Sequence, residues 1–272
     1  MSYGRKPLKS LGQNFLVDNN VIGKIVHAAG IGPGDPVLEI GPGRGALTVH
    51  LAEAAERLVL IEFDHALAAA HTEEYKDNAA VSVLDVDVLK VDLDALLRDN
   101  PTGKGWIVAA NLPYNISTEV LFRLLEVRQY LTRMVLMLQK EVGDRLVSKP
   151  DTSDYGVTTV LLGLWFDIRR EFIVPPGCFH PRPKVDSAVL SFVPLAEPRV
   201  AVGDEAVFRK VVKGAFAMRR KTLYNCLKAA ELGTVDEVLQ ALEECGINGQ
   251  RRGETLTMDE FAALSRRFSR PA

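Results

Sequence analysis

Much that would assign a protein to a special class is missing from this sequence. Cysteine is scarce: Cys178, Cys226 and Cys245 are the only three, widely spaced and without a C-x-x-C pair. An odd, scattered set argues against a disulfide framework and against a zinc site, so no metal is expected and a reducing compartment fits best. Long apolar runs are missing too. No stretch approaches the roughly 18 apolar residues of a membrane span, and the basic segment Met1 to Phe15 has no apolar stretch behind it to make a signal peptide. The expectation is a cytoplasmic chain with no membrane partner. Nor does one sign of charge dominate, since 33 Lys and Arg face 35 Asp and Glu for a formal net charge of -2. With a pI near 6.2, no global basic field advertises a polyanion, and any nucleic-acid contact must come from local patches. Internal repeats and low-complexity tracts are also lacking.

What is present is a large apolar fraction, 47% of 272 residues, enough for one large domain and a small one. Asp18 reads as the N-cap of a helix with an apolar face of Val21, Ile22, Ile25, Val26 and Ala29. Apolar strand candidates then alternate with amphipathic stretches: Val37 to Ile40, Leu58 to Phe63, Val81 to Leu84, Ile107 to Ala110 and Met134 to Leu138. That alternation predicts an α/β fold with a Rossmann-like, mostly parallel sheet. A helix over Val157 to Trp165 precedes two further strands, Ile168 to Val174 and Ser187 to Val193, joined by the Pro-rich stretch Pro175 to Pro183 and expected as an antiparallel edge. Beyond Pro194 and Pro198 only helical periodicity remains, around Val207 to Ala217, Thr222 to Ala230, Val235 to Glu244 and Met258 to Phe268. The expected division is therefore a sheet domain over 1–198 and a small all-helical domain over 199–272.

The first strand runs into Gly41-Pro42-Gly43-Arg44-Gly45 and a helix beginning near Ala46. Glycines at a strand-to-helix junction let backbone approach a nucleotide-like ligand closely. A plain tight turn uses the same residues, and Gly41, Gly43 and Ala46 also satisfy the dinucleotide fingerprint. Glu62 closes the next strand, placed to accept from two ribose hydroxyls, as in both NAD and S-adenosylmethionine sites. Asp87 lies just past the third strand, as an acceptor for an adenine amine or as a loop cap. Glu39, before the first glycine, would repel a pyrophosphate but not the sulfonium and ammonium of S-adenosylmethionine.

After the fourth strand comes Asn111-Leu112-Pro113-Tyr114, at the carboxyl edge of the sheet. An aromatic amine is a poor nucleophile because its lone pair is delocalised into the ring. A catalyst therefore needs acceptors that hold its hydrogens and favour a pyramidal nitrogen. The Asn111 side-chain oxygen and the Leu112 carbonyl suit that task, Pro113 stiffens the turn, and Tyr114 offers a stacking face. The competing reading is a capped turn with a buried Tyr. Phe179, in the Pro-rich connection, would be a second flat face or an ordinary core residue.

At this point the chain resembles the KsgA-type 16S rRNA adenine dimethyltransferases. The matching stretches are Leu11-Gly12-Gln13-Asn14-Phe15-Leu16, Glu39-Ile40-Gly41-Pro42-Gly43, Asn111-Leu112-Pro113-Tyr114-Asn115-Ile116-Ser117-Thr118, Leu138-Gln139-Lys140-Glu141-Val142, Pro183-Lys184-Val185-Asp186-Ser187-Ala188 and Arg219-Arg220-Lys221-Thr222. The resemblance implies a methyltransferase using S-adenosylmethionine that dimethylates two adjacent adenosines in a hairpin loop near the 3′ end of small-subunit RNA. It implies that Asn14, Leu16, Gly41, Glu62, Asp87 and Asn111 line the cofactor site, with Tyr114 and Phe179 clasping a flipped adenine. A monomer is the default expectation. Rivals are the 23S rRNA adenine methyltransferases of antibiotic resistance, a non-catalytic small-subunit assembly factor, and, from the glycine loop alone, an NAD dehydrogenase.

Phosphate affinity depends on Lys and Arg clustered on one face, not on the total. Three clusters are visible: Arg5, Lys6 and Lys9; Arg182 and Lys184 beside Phe179; and Arg209, Lys210, Lys213, Arg219, Arg220 and Lys221 at the start of the helical segment. Arg182, Lys184, Arg219, Arg220 and Lys221 are the expected RNA contacts. Solvated helix faces would carry the same charges.

Overall fold

A computed structural model of the chain describes residues 13–269. The Arg5, Lys6 and Lys9 cluster and the Leu11-Gly12 pair lie outside the described residues. By its contacts the chain divides into two compact units, Met1–Gly143 with Asp167–Pro194, and Asp144–Phe166 with Leu195–Ala272. The second unit thus takes in an internal segment as well as the C-terminal helices.

The first unit opens with a short strand β1 (Phe15–Leu16) and helix α1 (Asn19–Ala29). Asp18 starts α1 by accepting from the backbone N–H groups of Asn20 and Val21, and Gly30, left-handed at φ 62°, ends it. Then follow β2 (Pro36–Ile40), α2 (Thr48–Ala54), β3 (Arg57–Glu62), α3 (His65–Glu74), β4 (Val81–Asp85), α4 (Leu93–Arg98), β5 (Trp106–Asn111), α5 (Ser117–Glu126), β6 (Leu131–Gln139) and α6 (Lys140–Leu146). Helix α7 (Val157–Gly163) precedes β7 (Phe166–Val174), β8 (Phe179–His180) and β9 (Ser187–Pro194). The seven-stranded sheet runs β4-β3-β2-β5-β6-β9-β7. Its β2–β3, β2–β5, β3–β4 and β5–β6 pairs are parallel, and β9 lies antiparallel to β6, forming the antiparallel edge region with β7 outermost.

Continuous apolar runs explain the centre of this sheet. All five residues of β2 are buried, as are Leu58 to Ile61 of β3 and Trp106 to Ala110 of β5. Such runs suit strands covered by helices on both faces. Each buried Val, Leu or Ile there stabilises the unit by about 1.5–3 kcal/mol relative to exposure. Ile22, Ile25 and Ala29 of α1 join Leu58, Leu60, Val135 and Val189 in one core. The chain order turns back between β2 and β5, and such switch points open a crevice at the carboxyl ends of the strands.

The second unit adds α8 (Glu205–Phe216), α9 (Leu223–Ala229), α10 (Val235–Glu244) and α11 (Met258–Phe268) to α7. Its core includes Phe208, Val211, Val212, Val238, Phe261 and Leu264, all fully buried. Reciprocal caps Thr234–Glu237 and Thr257–Glu260 start α10 and α11. A Cβ on Gly253 would lie 2.4 Å from the carbonyl oxygen of Ala215, so only glycine lets that turn pass α8. Among the described residues, no helix is long and apolar enough to cross a membrane.

Candidate active site

The crevice at the switch point is a cleft partly open to solvent, lined by the segments Gln13 to Leu16, Glu39 to Arg44, Ile61 to Phe63, Val86 to Leu89 and Asn111 to Ile116. All lie in the first unit. The cofactor residues expected from sequence, Asn14, Leu16, Glu39, Gly41, Gly43, Glu62, Asp87 and Asn111, all line it, as do Leu112, Pro113 and Tyr114.

The glycine loop takes its shape from positive φ at Gly41 (68°), Gly43 (59°) and Gly45 (78°), where side chains are strained. It is held from below on several sides. The Gly41 N–H donates to Ile61 O at 2.8 Å, and the Gly43 N–H donates to Glu62 Oε2 at 2.9 Å. The Gly43 carbonyl, which can only accept, takes a hydrogen from His71 Nε2 at 3.0 Å. His71 is fully buried on α3. On its sequence it is one more helical residue, and nothing local could have announced this contact.

Glu62 uses both oxygens. While Oε2 holds the loop, Oε1 accepts from the Asp64 N–H at 2.8 Å, fixing the start of α3, where Asp64 is itself the N-cap. Each oxygen keeps a second lone pair for a ligand hydroxyl. Asp87 Oδ1 accepts from Leu89 N at 2.9 Å, so it caps its loop and faces the cleft as well.

Glu39 is the anomaly. It is 2% exposed, and its Oε2 has no hydrogen-bond partner. The Thr48 hydroxyl beside it makes no well-formed bond either. Burial, partly offset by Thr48 and reinforced by the charge of Glu62, pushes the Glu39 carboxyl up to about 8. An unpaired buried carboxylate is costly; a cationic ligand relieves that cost, whereas a pyrophosphate would add to it.

The N-terminal strap completes the site. Phe15 and Leu16 pair antiparallel with His180 and Phe179. The Phe15 ring covers the loop, since a Cβ on Gly43 would meet it at 3.0 Å, and Arg44 stacks on that ring at 4.6 Å. The Asn14 carbonyl accepts from Asn111 Nδ2 at 3.1 Å. Sequence reading missed these contacts because they join segments from opposite ends of the sheet domain.

The turn after β5 is anchored through the Leu112 N–H to Met137 O at 3.1 Å and through Ser117 Oγ to Tyr114 O at 3.2 Å. Pro113 packs on Gly41, where a Cβ would sit 3.8 Å away, so the glycine loop and this turn touch. The Tyr114 hydroxyl lies 2.7 Å from Ser187 Oγ. Phe179 is placed differently from the rest: it is 4% exposed and sits in the core with Leu16, Val174 and Cys178, not in the cleft wall. Arg182 and Lys184 are exposed beyond it. In the second unit Arg219, Arg220 and Lys221 are exposed; Arg219 donates to Ser153 O at 3.2 Å, while Arg209 is paired with Glu205 and Lys210 with the Glu231 carbonyl. No group of three or more His, Cys, Asp or Glu side chains among the described residues is arranged to hold a metal.

A doubly wound sheet whose switch-point cleft joins a glycine loop, an acid at the end of the neighbouring strand and an unpaired buried carboxylate has the build of an S-adenosylmethionine-dependent methyltransferase. The family described as ribosomal RNA adenine dimethylase matches residues 4–269, and the chain belongs to that family. It is 57% identical to ribosomal RNA small subunit methyltransferase A of Geobacter metallireducens, over 97% of this chain and 96% of that one. With the protein of the same name from Clostridium acetobutylicum it shares 43% over 94% and 92%. Among solved structures it is similar to a dimethyladenosine transferase from Plasmodium falciparum, with TM-score 0.78, 25% identity and coverage of 92% and 95%. It is also similar to the 23S rRNA methyltransferase ErmE, with TM-score 0.68, 25% identity and coverage of 94% and 100%. S-adenosylmethionine is thus the cofactor, and the unpaired oxygen of Glu39 fits its positive charge.

The raised Glu39 carboxyl has a measurable sign. Its folded value of about 8 exceeds the ordinary 4.5, so in the cofactor-free protein its contribution to stability is fully present at low pH and is lost as pH rises through about 8. A cationic ligand favours the ionised form, so binding below that pH releases a proton and affinity climbs with pH. Near pH 8 the ligand's own amine, with a pKa of about 7.7–8.0, begins to reverse the trend. Glu39→Gln should remove the rising limb and weaken binding about tenfold. Calorimetry in two buffers of different ionisation enthalpy reads the proton directly; an unchanged proton count in the variant would assign the titration elsewhere.

Proposed function

We propose that this protein transfers methyl groups from S-adenosylmethionine to the N6 amines of two adjacent adenosines in a hairpin loop near the 3′ end of 16S rRNA. It would act as a cytoplasmic monomer on the small ribosomal subunit or its precursor, giving N6,N6-dimethyladenosine. Relatives at 57% and 43% identity that bear the small-subunit name support this target over the 23S reading, whose structural relative is 25% identical. Glu39, Glu62, Asp87 and Asn111, intact in one cleft, speak against a non-catalytic assembly factor.

The observation that carries the mechanism is the orientation of Asn111. Its amide nitrogen is spent on the Asn14 carbonyl, which leaves the amide oxygen as an acceptor for the target amine. The Leu112 carbonyl is the second acceptor in this reading. Together they hold the amine hydrogens and favour a pyramidal nitrogen, and no strong base is called for. When bound, S-adenosylmethionine supplies a methyl group already attached to a good leaving group. Glu39 would face its cationic end, Glu62 its ribose hydroxyls and Asp87 its adenine amine, with Asn14, Leu16, Gly41 and Gly43 forming the walls. The chain's own contribution is positioning and hydrogen bonds to the amine.

The target adenine leaves its stack to reach this cleft and lies against Tyr114. Phe179, packed in the core, would join the clasp only by leaving that core. Arg182 and Lys184 in the first unit, and Arg219, Arg220 and Lys221 in the second, would hold phosphates. Incubating the protein with unmethylated small subunits and mapping added mass should place two methyl groups on each of two adjacent adenosines of the small-subunit RNA. Methylation confined to large-subunit RNA would favour the 23S reading instead.

A further inference from the structure

We propose that Ser187 is a positioning residue for base methylation: from the start of β9 its hydroxyl holds the Tyr114 hydroxyl and sets the direction in which that ring meets the target adenine. The inference rests on the reading above, in which Tyr114 stacks on the base. Ser187 is fully buried and opens a strand whose next residues, Ala188, Val189 and Leu190, are apolar and equally buried. A hydroxyl in such a place is destabilising unless bonded, and it lies 2.7 Å from the Tyr114 hydroxyl.

The two ends of Tyr114 are referred to one rigid frame. Its main chain follows Leu112, whose N–H is bonded to Met137 on β6. Its ring tip is bonded to Ser187, which pairs across the same sheet with Gln139 of β6. A phenol oxygen lies on the ring axis, so fixing it fixes where the axis points. Phenylalanine would offer the same stacking face, free to swing. Burial also holds the Tyr114 hydroxyl above its ordinary value, with the Ser187 bond offsetting only part of that, so the phenol stays neutral and is no base for the amine. What tyrosine adds over phenylalanine at this position is the tether. Placement matters here because a misplacement of about 1 Å at a reacting centre costs on the order of a hundredfold in rate.

Ser187→Ala should lower kcat on unmethylated small subunits about three- to tenfold, with S-adenosylmethionine affinity unchanged. Tyr114→Phe removes the same bond from the other side without touching the buried strand and should lose as much. The double variant should lose no more than either single one, because both remove one interaction. Losses that multiply in the double variant would show two hydroxyls acting separately and overturn the proposal. A parallel fall in cofactor affinity in Ser187→Ala would make the serine a support for the whole cleft and overturn it too. Tyr114→Ala separates the two levels. If it is inactive while Ser187→Ala is unimpaired, the tether fails and base stacking stands; if it is fully active, stacking fails and the tether with it.

Discussion

Asn111→Asp is expected to lower methyl transfer at neutral pH by about 10²- to 10³-fold, the scale on which preorganised hydrogen-bonding groups act at a reacting centre, and to recover part of that loss as pH falls. The two residues differ by one group, but that group faces the Asn14 carbonyl, with Nδ2 donating at 3.1 Å. A carboxylate there sets oxygen against oxygen with no hydrogen between them. The side chain must either turn away, taking its other oxygen off the substrate amine, or take up a proton and donate again. The second route opens at low pH, which gives the rate profile a limb the parent enzyme lacks.

Asn111→Ala should show a similar loss with no recovery, since alanine has nothing to protonate. In both variants Glu62 and the glycine loop are untouched, so S-adenosylmethionine should still bind within a few-fold of the parent affinity by calorimetry. A variant that keeps its turnover, or one whose loss follows cofactor release, would remove Asn111 from the chemistry. The comparison also bears on why the turn carries an amide at all: one of its two ends must donate.

These effects separate what a sequence can display from what it cannot. The strands β2, β3 and β5 were legible because their apolar runs are continuous, and α1 because its N-cap and its 3.6-residue period are local. The glycine loop and Asn111 to Tyr114 were legible because each is contiguous and sits at the end of a recognisable strand. The β1–β8 pair is two residues long and joins distant segments, so no periodicity marks it. His71 and Ser187 act through a single atom each, at positions where helix and strand patterns predict only packing. Phe179 shows the limit from the other side, since its type suits both a stacking face and a core, and it packs in the core. The assignment of Asp144–Phe166 to the same unit as the C-terminal helices depends on long-range contacts, which a linear pattern does not encode.

Glu62→Gln should raise the dissociation constant for S-adenosylmethionine by about a hundredfold or more, although it preserves the shape of the side chain. The parent carboxylate accepts two backbone hydrogens at once, from Gly43 at 2.9 Å and Asp64 at 2.8 Å, at a position only 6% exposed. An amide has one accepting end, so its NH2 must face one of those N–H donors. That leaves a buried donor unpaired, a cost of about 1–3 kcal/mol in stability that free and bound protein share; for the ligand, the NH2 end no longer accepts a ribose hydroxyl, at about 1.5–3 kcal/mol, and the other end accepts as a neutral group, at about 1 kcal/mol less. Roughly 1.4 kcal/mol is tenfold in affinity, so two such losses reach the stated figure. S-adenosylhomocysteine shares the ribose and should weaken equally, whereas a loss confined to the methyl donor would point to its charge instead. Removing the Glu62 charge also removes one cause of the raised Glu39 carboxyl, so the proton released on binding should appear over a lower pH range than in the parent. A Glu62→Gln protein that binds both ligands within threefold of the parent would show that the ribose is held elsewhere.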